Sequence, residues 1–386
     1  MPTTYRLMAI GTMTALIALS AAALQSTNRA QADDDIVVGA TVPITGPLAA
    51  SGLQYYDSLQ MARDDINAAG GINGRKLRIV FEDTQASNSV AVNAFIKLAK
   101  EQNPPFIFLS SYTVQNLAVE PEVGNAKIPT VYAGGAVSIA DRKDPWMFRI
   151  RPSDSIGAQA MAPAVVSHIK VKKAGIIHVQ DDYGNASAAA TAAALEKAGI
   201  TVVGNESYNG HDNDFSPQLL SLKNKGAEVL IAYSYVRDGA LVLSQRRTLG
   251  FDVPFLGAPS FILGSLLRLV GPADTHDLFA MPDAVLGADV SPQSADYVKR
   301  FAARFGMRAD PFGSCYYDAA MILADALRKV GPDREKIRDY FANLKDYPGV
   351  TRKYTTDVRG EMAHSVALVK FDEGTKDFKL IQHYPE

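Results

Sequence analysis

Hydroxyl-bearing and glycine-rich segments follow two predicted strands, where they could bind a small molecule. Ser110-Ser111-Tyr112-Thr113 lies between the apolar strand Phe106–Ser110 and a helix over Val114–Gly124. The hydroxyls of this segment and the N–H groups at the start of the helix could bind a carboxylate or an amide. Alternatively, the serines and the threonine could simply cap the helix. Ala133-Gly134-Gly135-Ala136 follows the strand Thr130–Tyr132, and it could approach a ligand closely or form a plain tight turn.

Motifs for catalysis or metal binding are missing from the sequence. There is no Gly-x-Gly-x-x-Gly after the first strand, no Walker loop and no Gly-x-Ser-x-Gly elbow. The six histidines (168, 178, 211, 276, 364 and 383) lack metal-ligand spacing. His211-Asp212-Asn213-Asp214 has metal-binding residue types, but Asp214 precedes Phe215-Ser216-Pro217 and is better interpreted as a helix-initiating residue. We therefore expect a binding protein with no enzyme activity, no cofactor and no metal.

The N-terminal 32 residues have the pattern of a secretory signal peptide. Arg6 precedes an apolar stretch over Leu7–Leu24, and the segment ends in Ala30-Gln31-Ala32. A basic start, an apolar centre and a small-x-small end predict cleavage after Ala32. An uncleaved anchor is the alternative, but the stretch consists largely of Ala, Ser, Thr and Gly. We expect an exported, periplasmic protein.

The remaining 354 residues (386 − 32) suit two domains rather than one core. The whole chain has 39 basic and 41 acidic residues. No basic run is dense enough to predict a nucleic-acid partner. Cys315 is the only cysteine, so an intramolecular disulfide is impossible; a buried structural thiol is favoured over a reactive nucleophile.

Short apolar strands alternate with amphipathic helices twice along the chain. The predicted strands are Ile36–Val42, Leu77–Glu82, Phe106–Ser110, Thr130–Tyr132, Ala174–Gln180, Thr201–Gly204, Val229–Tyr233, Pro254–Gly257, Ser365–Phe371 and Phe378–Gln382. The predicted helices, besides Val114–Gly124, are Gln54–Ala69, Ala91–Lys100, Ala186–Ala198, Phe215–Lys225, Gly239–Leu249, Ser294–Phe305, Cys315–Val330 and Arg334–Leu344. This alternation predicts an α/β fold with two doubly wound parallel sheets, which the last third of the chain completes.

Five segments resemble one family. They are Val38-Gly39-Ala40-Thr41-Val42-Pro43-Ile44-Thr45-Gly46-Pro47, Ala68-Ala69-Gly70-Gly71-Ile72-Asn73-Gly74-Arg75-Lys76-Leu77, Phe148-Arg149-Ile150-Arg151-Pro152-Ser153-Asp154, Tyr183-Gly184 and Tyr317-Asp318-Ala319-Ala320. In this order they resemble the periplasmic leucine/isoleucine/valine-binding proteins, the type I solute receptors of ABC importers.

The resemblance implies a type I periplasmic-binding-protein fold with two lobes joined by a three-segment hinge. Lobe 1 would comprise residues 33–152 and 283–361, and lobe 2 residues 153–282 and 362–386. The expected function is capture of a small molecule in the cleft between the lobes and its delivery to an ABC transporter permease in the inner membrane. We expect a monomer. A sensor that passes ligand binding to a regulator or kinase is the alternative.

The resemblance also implies ligand contacts from both lobes. In lobe 1 it places a carboxylate-binding hydroxyl near Thr113. In lobe 2 it places aromatic contacts at Tyr183 and Tyr235, although buried core tyrosines are the alternative. Arg237 is a candidate carboxylate partner or, alternatively, a surface or hinge ion pair.

The sequence departs from the amino-acid-binding pattern at the position of the ligand's ammonium group. Where the family has an acidic residue, this chain has Ala258-Pro259-Ser260-Phe261, and Pro259 is a candidate contact; Ala136 replaces an expected hydroxyl residue. A buried ammonium without a charged partner is unfavourable. We therefore expect an apolar or aromatic carboxylate, or an amide, without an α-ammonium. Asp182 or Asp238 could substitute, which keeps a branched-chain amino acid as the alternative.

Overall fold

The computed structural model describes residues 35–210, 212–287 and 290–384. The predicted signal peptide and His211 lie outside these residues. Within them the chain forms two large sheets and a small hairpin. None of the described helices is both long and apolar enough to span a lipid bilayer.

Strands and helices alternate through most of the chain. The strands are β1 (Ile36–Val42), β2 (Leu77–Asp83), β3 (Ile107–Phe108), β4 (Thr130–Tyr132), β5 (Met147–Arg149), β6 (Lys173–Val179), β7 (Thr201–Tyr208), β8 (Val229–Tyr233), β9 (Phe255–Gly257), β10 (Leu278–Ala280), β11 (Tyr347–Pro348), β12 (Lys353–Tyr354), β13 (Val366–Asp372) and β14 (Asp377–Tyr384). The α-helices are α1 (Ala49–Ala68), α2 (Asn88–Glu101), α3 (Thr113–Ala126), α4 (Val137–Asp141), α5 (Asp154–Ala164), α6 (Asp182–Lys197), α7 (Ser216–Asn224), α8 (Val236–Thr248), α9 (Gly264–Leu267), α10 (Pro292–Phe305), α11 (Pro311–Val330) and α12 (Arg334–Ala342).

Lobe 1 is built on a five-stranded parallel sheet with the order β2-β1-β3-β4-β5. Lobe 2 is built on a seven-stranded sheet with the order β14-β13-β10-β9-β8-β6-β7, in which β13 and β14 are antiparallel to their neighbours. Apolar clusters cover both faces of each sheet, because strands of a parallel sheet are buried on both sides by helices. The predicted α/β fold with two parallel-sheet lobes is confirmed.

The chain passes between the lobes three times. The first crossing joins β5 to α5, the second joins β10 to α10, and the third joins β12 to β13. The last third of the chain thus supplies α10 to α12 to lobe 1 and two strands to lobe 2. Three crossings set side by side restrict the relative motion of the lobes to a hinge.

Helix α11 shows how the sequence sets a buried helix. The Asp310 side chain accepts a hydrogen bond from the Gly313 N–H at 2.8 Å, Pro311 occupies the first turn, and Gly331 ends the helix at φ 73°. Cys315 lies on this helix, buried, with Sγ 3.0 Å from the Phe312 carbonyl oxygen. Burial raises the pKa of the Cys315 thiol, so the thiol is structural rather than nucleophilic.

Several predicted boundaries were wrong, and some elements were missed. Helix α1 begins at Ala49 rather than Gln54, and β3 covers only part of Phe106–Ser110. The sequence analysis missed α5 and the three-residue strands β5 and β10. Short strands are hard to detect because three residues are too few to show a periodicity.

Candidate ligand-binding cleft

A cavity of about 440 Å³ lies between the lobes, beyond the carboxyl ends of the parallel strands. Ligands of open α/β sheets collect at this place. Its lining combines five aromatic rings, several hydroxyls and aliphatic side chains. The lining residues are Pro47, Leu48, Ala50, Ser51, Tyr55, Ser111, Tyr112, Thr113, Gly135, Arg151, Tyr183, Gly210, Ser234, Tyr235, Val236, Arg237, Asp238, Pro259, Ser260, Leu263, Leu269 and Phe312.

The structure brings most of the predicted site residues to this cavity. The lining includes Ser111, Tyr112, Thr113, Gly135, Tyr183, Tyr235, Arg237 and Pro259. Gly134 and Ala136 lie behind it and are fully packed against the protein.

Gly134 and Ala136 lie outside the cavity lining and form hydrogen bonds within the protein, so their predicted contact with a ligand stays a prediction. The Gly134 N–H donates to Asn116 Oδ1 at 3.1 Å, and the Ala136 N–H donates to Thr113 Oγ1 at 3.3 Å. A Cβ on Gly134 would lie 2.3 Å from Asn116 Oδ1, so the glycine is required by packing. The carbonyl oxygens of Gly135 and Ala136 both accept from the buried Arg149 guanidinium. The N–H groups of Gly134 and Ala136 and the carbonyl oxygens of Gly135 and Ala136 are thus already paired within the protein.

The N-terminus of α3 forms the hydrogen-bond-donating end of the cavity in lobe 1. Tyr112 is the N-cap residue and Thr113 the first helical residue, and no side chain caps the helix. Ser110 instead donates to Gln115 Oε1 at 2.7 Å, so capping does not explain the hydroxyl cluster. Thr113 Oγ1 accepts from Ala136 and keeps its own proton to donate. Unpaired N–H groups in a first helical turn favour an anion.

Tyrosines line the cleft and connect the lobes. The Tyr112 ring of lobe 1 packs edge-on against Tyr235 of lobe 2 with the centroids 5.8 Å apart, and Tyr183 lies 5.6 Å from Tyr235. The Tyr55 and Ser111 hydroxyls lie 2.5 Å apart. Burial raises the pKa of Tyr112 to about 12, so its hydroxyl stays neutral at physiological pH. The cleft thus offers ring faces and neutral hydroxyls.

Arg151 is a lining residue that the sequence analysis missed. Its Nε and Nη2 donate to Asp283 at 2.6 and 2.9 Å, and Nη2 donates to Asp154 at 2.7 Å. Arg151 lies in the first crossing, Asp154 begins α5 and Asp283 lies in the second crossing. All three side chains are buried. A basic residue just beyond β5 was a usable signal, because ligands collect at the carboxyl ends of the strands.

Arg237 lies at the rim of the cavity in an ion pair. Its Nη1 donates to Asp238 Oδ1 at 3.0 Å and to the Asp212 carbonyl oxygen at 3.2 Å, and its side chain is 50% exposed. Arg237 thus forms an ion pair and also lines the cavity, so its predicted role as a carboxylate partner stays a prediction. Asp238 carries the only carboxylate among the described lining residues, and Asp182 does not line the cavity.

The predicted helix-initiating role of Asp214 is confirmed by a hydrogen bond at the start of α7. Asp214 Oδ1 accepts from the Ser216 N–H at 2.9 Å. A different group of possible metal ligands, Asp357, Glu361 and His364, lies in the third crossing. Arg149 and Arg359 lie 3.7 and 3.4 Å from Glu361 and balance its charge. A cation would therefore meet two guanidinium groups beside its carboxylate ligands.

Comparison with known proteins matches nearly the whole described chain. A family model for periplasmic binding proteins covers residues 35–376. A Leu/Ile/Val-binding protein homolog of Brucella abortus is 28% identical over 397 residues, covering 96% of this chain and 96% of the relative. An amino acid binding protein of Pseudomonas aeruginosa is 28% identical over 356 residues, covering 90% of this chain and 92% of the relative.

Solved structures share the fold at lower identity. The branched-chain amino acid transporter substrate binding protein of Streptococcus pneumoniae, in complex with isoleucine, has a TM-score of 0.82 at 20% identity, over 90% of this chain and 98% of that chain. A leucine binding protein from Thermotoga maritima has a TM-score of 0.83 at 20% identity, with the same coverage. These likenesses agree with two lobes around a cleft.

Proposed function

The chain belongs to the periplasmic binding protein family, in its leucine/isoleucine/valine-binding branch, whose members are solute-binding receptors of ABC transporters and not enzymes; we propose that it captures an apolar or aromatic carboxylate, or an amide, that lacks an α-ammonium group. The ligand would lie in the cleft between Tyr112 and Thr113 of lobe 1 and Tyr183 and Tyr235 of lobe 2.

The distribution of hydrogen-bonding groups at the lobe 1 end carries this proposal. The uncapped start of α3 and the Thr113 hydroxyl offer donors. The nearby acceptors, the carbonyl oxygens of Gly135 and Ala136, are occupied by Arg149. A carboxylate or amide oxygen gains several donors here, whereas an ammonium group would meet only neutral acceptors and lie near a guanidinium.

The remainder of the lining supports an apolar or aromatic body. Tyr112, Tyr183 and Tyr235 form a continuous set of ring contacts, and Phe312 and Leu263 add apolar surface. A cavity of about 440 Å³ lies within the usual range for small-ligand sites. Asp238 already faces Arg237, so its charge is balanced without a ligand ammonium.

The other parts of the proposal concern export, closure and delivery. The signal peptide would be removed after Ala32, and the mature protein would act as a monomer in the periplasm. Lobes of residues 33–152 with 283–361, and of 153–282 with 362–386, would close on the ligand. The closed form would then dock on the permease of an ABC transporter.

Titration calorimetry on protein freed of ligand by unfolding and refolding tests the ligand class. We expect binding of benzoate, phenylacetate or cinnamate and much weaker binding of leucine and valine. Thr113→Val should weaken acid binding by about tenfold, which corresponds to roughly 1.4 kcal/mol for a hydrogen bond to a charged group. Thr130→Val is the matched control, because Thr130 Oγ1 is bonded to the Trp146 carbonyl and does not line the cavity.

Tight binding of leucine with no response to any acid would show that the ammonium site is intact and that the ligand proposal is wrong. In that case Asp238 is the carboxylate to replace first, since it is the candidate partner for an ammonium within the lining.

A further inference from the structure

We infer that the lobe 2 end of the cleft holds a second polar subsite, which binds an uncharged oxygen-bearing group at the far end of the ligand. The subsite comprises Ser234, the first turn of α8 and Asp238. The inference rests on the proposed function, because it assumes that a carboxylate or amide occupies the α3 end of the same cavity.

Ser234 is buried without a hydrogen-bond partner for its side chain. It directly follows β8, lines the cavity and is 0% exposed. Its carbonyl oxygen accepts from Ser260 Oγ at 2.6 Å, but its own Oγ makes no hydrogen bond of ordinary geometry in the described part of the chain. An unpaired buried hydroxyl is unfavourable and uncommon in native proteins. A ligand atom in the cavity would supply the missing partner.

Tyr208 adds a second buried hydroxyl beside the first. Its OH also makes no hydrogen bond of ordinary geometry within the described residues. Burial raises the pKa of Tyr208, and hydrogen bonding with the Ser234 hydroxyl offsets part of this rise. If the two hydroxyls bond to each other, only one of their two protons is used, so one donor remains for a ligand.

The start of α8 adds backbone donors at the same place. This 13-residue helix begins at Val236, directly after Ser234 and Tyr235, and no side chain caps it. Its first-turn N–H groups have no acceptor within the helix. Asp238 follows at the third helical position and lines the cavity. The subsite therefore combines donors with one carboxylate acceptor.

This combination selects a neutral oxygen group over a charged one. A hydroxyl accepts from Ser234 or from the helix and donates to Asp238, and a carbonyl oxygen uses the donors alone. A second carboxylate would lie beside Asp238, whose charge Arg237 already balances, and would add an uncompensated negative charge to a partly desolvated cleft. A methyl group would leave Ser234 unpaired. The chemical class is an apolar or aromatic carboxylate with a hydroxyl or carbonyl group at the opposite end.

Calorimetry with matched ligands tests the subsite. The probes are the 4-methyl, 4-hydroxy and 4-carboxy members of the benzoate, phenylacetate and cinnamate series, so that ligand length is varied independently of the end group. In at least one series we expect the 4-hydroxy acid to bind about tenfold more tightly than both other members. Ser234→Ala should reduce this preference to less than about twofold.

Ser187→Ala is the matched control. Ser187 is also a buried serine whose hydroxyl has no hydrogen-bond partner, but it does not line the cavity. Both substitutions remove a buried hydroxyl that makes no hydrogen bond of ordinary geometry, so neither should lower the thermal stability of the ligand-free protein by much. Only Ser234→Ala should change the order of the ligands.

The outcomes separate this inference from the proposed function. If the acids bind but the 4-hydroxy member has no advantage, or if its advantage survives Ser234→Ala, the subsite is refuted and the ligand class stands. If Ser234→Ala weakens all acids equally and destabilises the ligand-free protein, Ser234 is structural and the subsite is again refuted. If leucine binds and no acid does, the proposed ligand class itself has failed, and this inference with it.

Discussion

Replacing Arg151 with methionine should destabilise the ligand-free protein strongly at neutral pH and weakly at acidic pH. Arg151 donates to two buried carboxylates, Asp283 and Asp154, at distances between 2.6 and 2.9 Å. Methionine fills much of the volume but provides no charge. Two carboxylates are then left near each other with no cation between them.

The magnitude follows from the cost of an uncompensated buried charge. Removing one partner of a buried pair costs about 3–5 kcal/mol. Burial raises the pKa of Asp154, and Arg151 offsets part of that rise, so the Asp154 pKa should increase further in the variant. A group whose folded pKa is raised stabilises the fold below its unfolded pKa of about 3.9, and this contribution is lost as pH rises. We expect a loss of about 4 kcal/mol near pH 7.5 and about 1–2 kcal/mol near pH 4.5.

Urea unfolding followed by circular dichroism at the two pH values measures this difference. Ligand must be removed first by unfolding and refolding, because bound ligand would stabilise the wild type selectively. Arg247→Met is the matched control: Arg247 pairs with Asp252 at 3.2 Å, and the two side chains are 43% and 59% exposed. Its loss should stay below about 1 kcal/mol at both pH values. An Arg151→Met loss that is below about 1 kcal/mol, or independent of pH, would refute the reasoning.

Three further predictions concern packing, titration and lobe completion. Gly135→Ala should destabilise the protein by about 2 kcal/mol or more in urea unfolding, because the new Cβ would lie 2.0 Å from Asp154 Oδ2. The control is Gly157→Ala, whose Cβ would have no atom within 4 Å; this variant should be neutral or stabilising. Burial raises the pKa of Asp310 to about 7, so the contribution of this side chain to stability is lost as pH rises from about 4 to 7. Asp310→Asn should flatten the pH dependence of the unfolding free energy, measured at several pH values. An unchanged slope would contradict the raised pKa of Asp310. A chain that ends at residue 282 lacks α10 to α12 and β13 with β14, so circular dichroism should show no cooperative unfolding transition; a sharp transition would mean that one lobe folds alone.

The sequence predicted the repeated strands and helices well, because buried parallel strands are continuous apolar runs. Strands β1, β4 and β8 have the predicted bounds. Strand β5 was missed because it has only three residues and because its last residue, Arg149, is charged yet fully buried. Its carboxylate neighbour Glu361 is distant in sequence and lies 3.7 Å away. Burial of a paired charge is set by tertiary contacts, which no local pattern shows.

The site was predictable in position but not in detail. The rule that ligands collect beyond the strands led to Ser111 and Thr113, and the same rule applied to β8 and β5 would have led to Ser234 and Arg151. The roles of Gly134 and Ala136 were not accessible from the sequence. Their hydrogen bonds depend on Asn116, Thr113 and Arg149 coming together in space.

The positions of the buried ion pairs determine how the cleft can open. Arg151 joins the first and second crossings through its ion pair with Asp283. Arg352 joins the third crossing to the second, because it donates to the Ser365 carbonyl oxygen at 2.9 Å and to the Asp283 carbonyl oxygen. These contacts lie at the floor of the cleft, and separating the buried pair would cost about 3–5 kcal/mol. The contact between Tyr112 and Tyr235 is an edge-on aromatic pair worth about 0.5–1.5 kcal/mol.

Opening should therefore break the tyrosine contact first and leave the ion pairs intact. The lobes should rotate about the floor of the cleft, where Arg151 lies, while the tyrosines move furthest apart. Because the contact between the tyrosines is weak and the Arg308–Asp377 ion pair between the lobes is exposed, the open and closed forms of the ligand-free protein should differ by little in free energy. A ligand that touches both helix starts, that of α3 in lobe 1 and that of α8 in lobe 2, then adds contacts that exist only in the closed form, and this differential binding is what a receptor needs to report its occupancy.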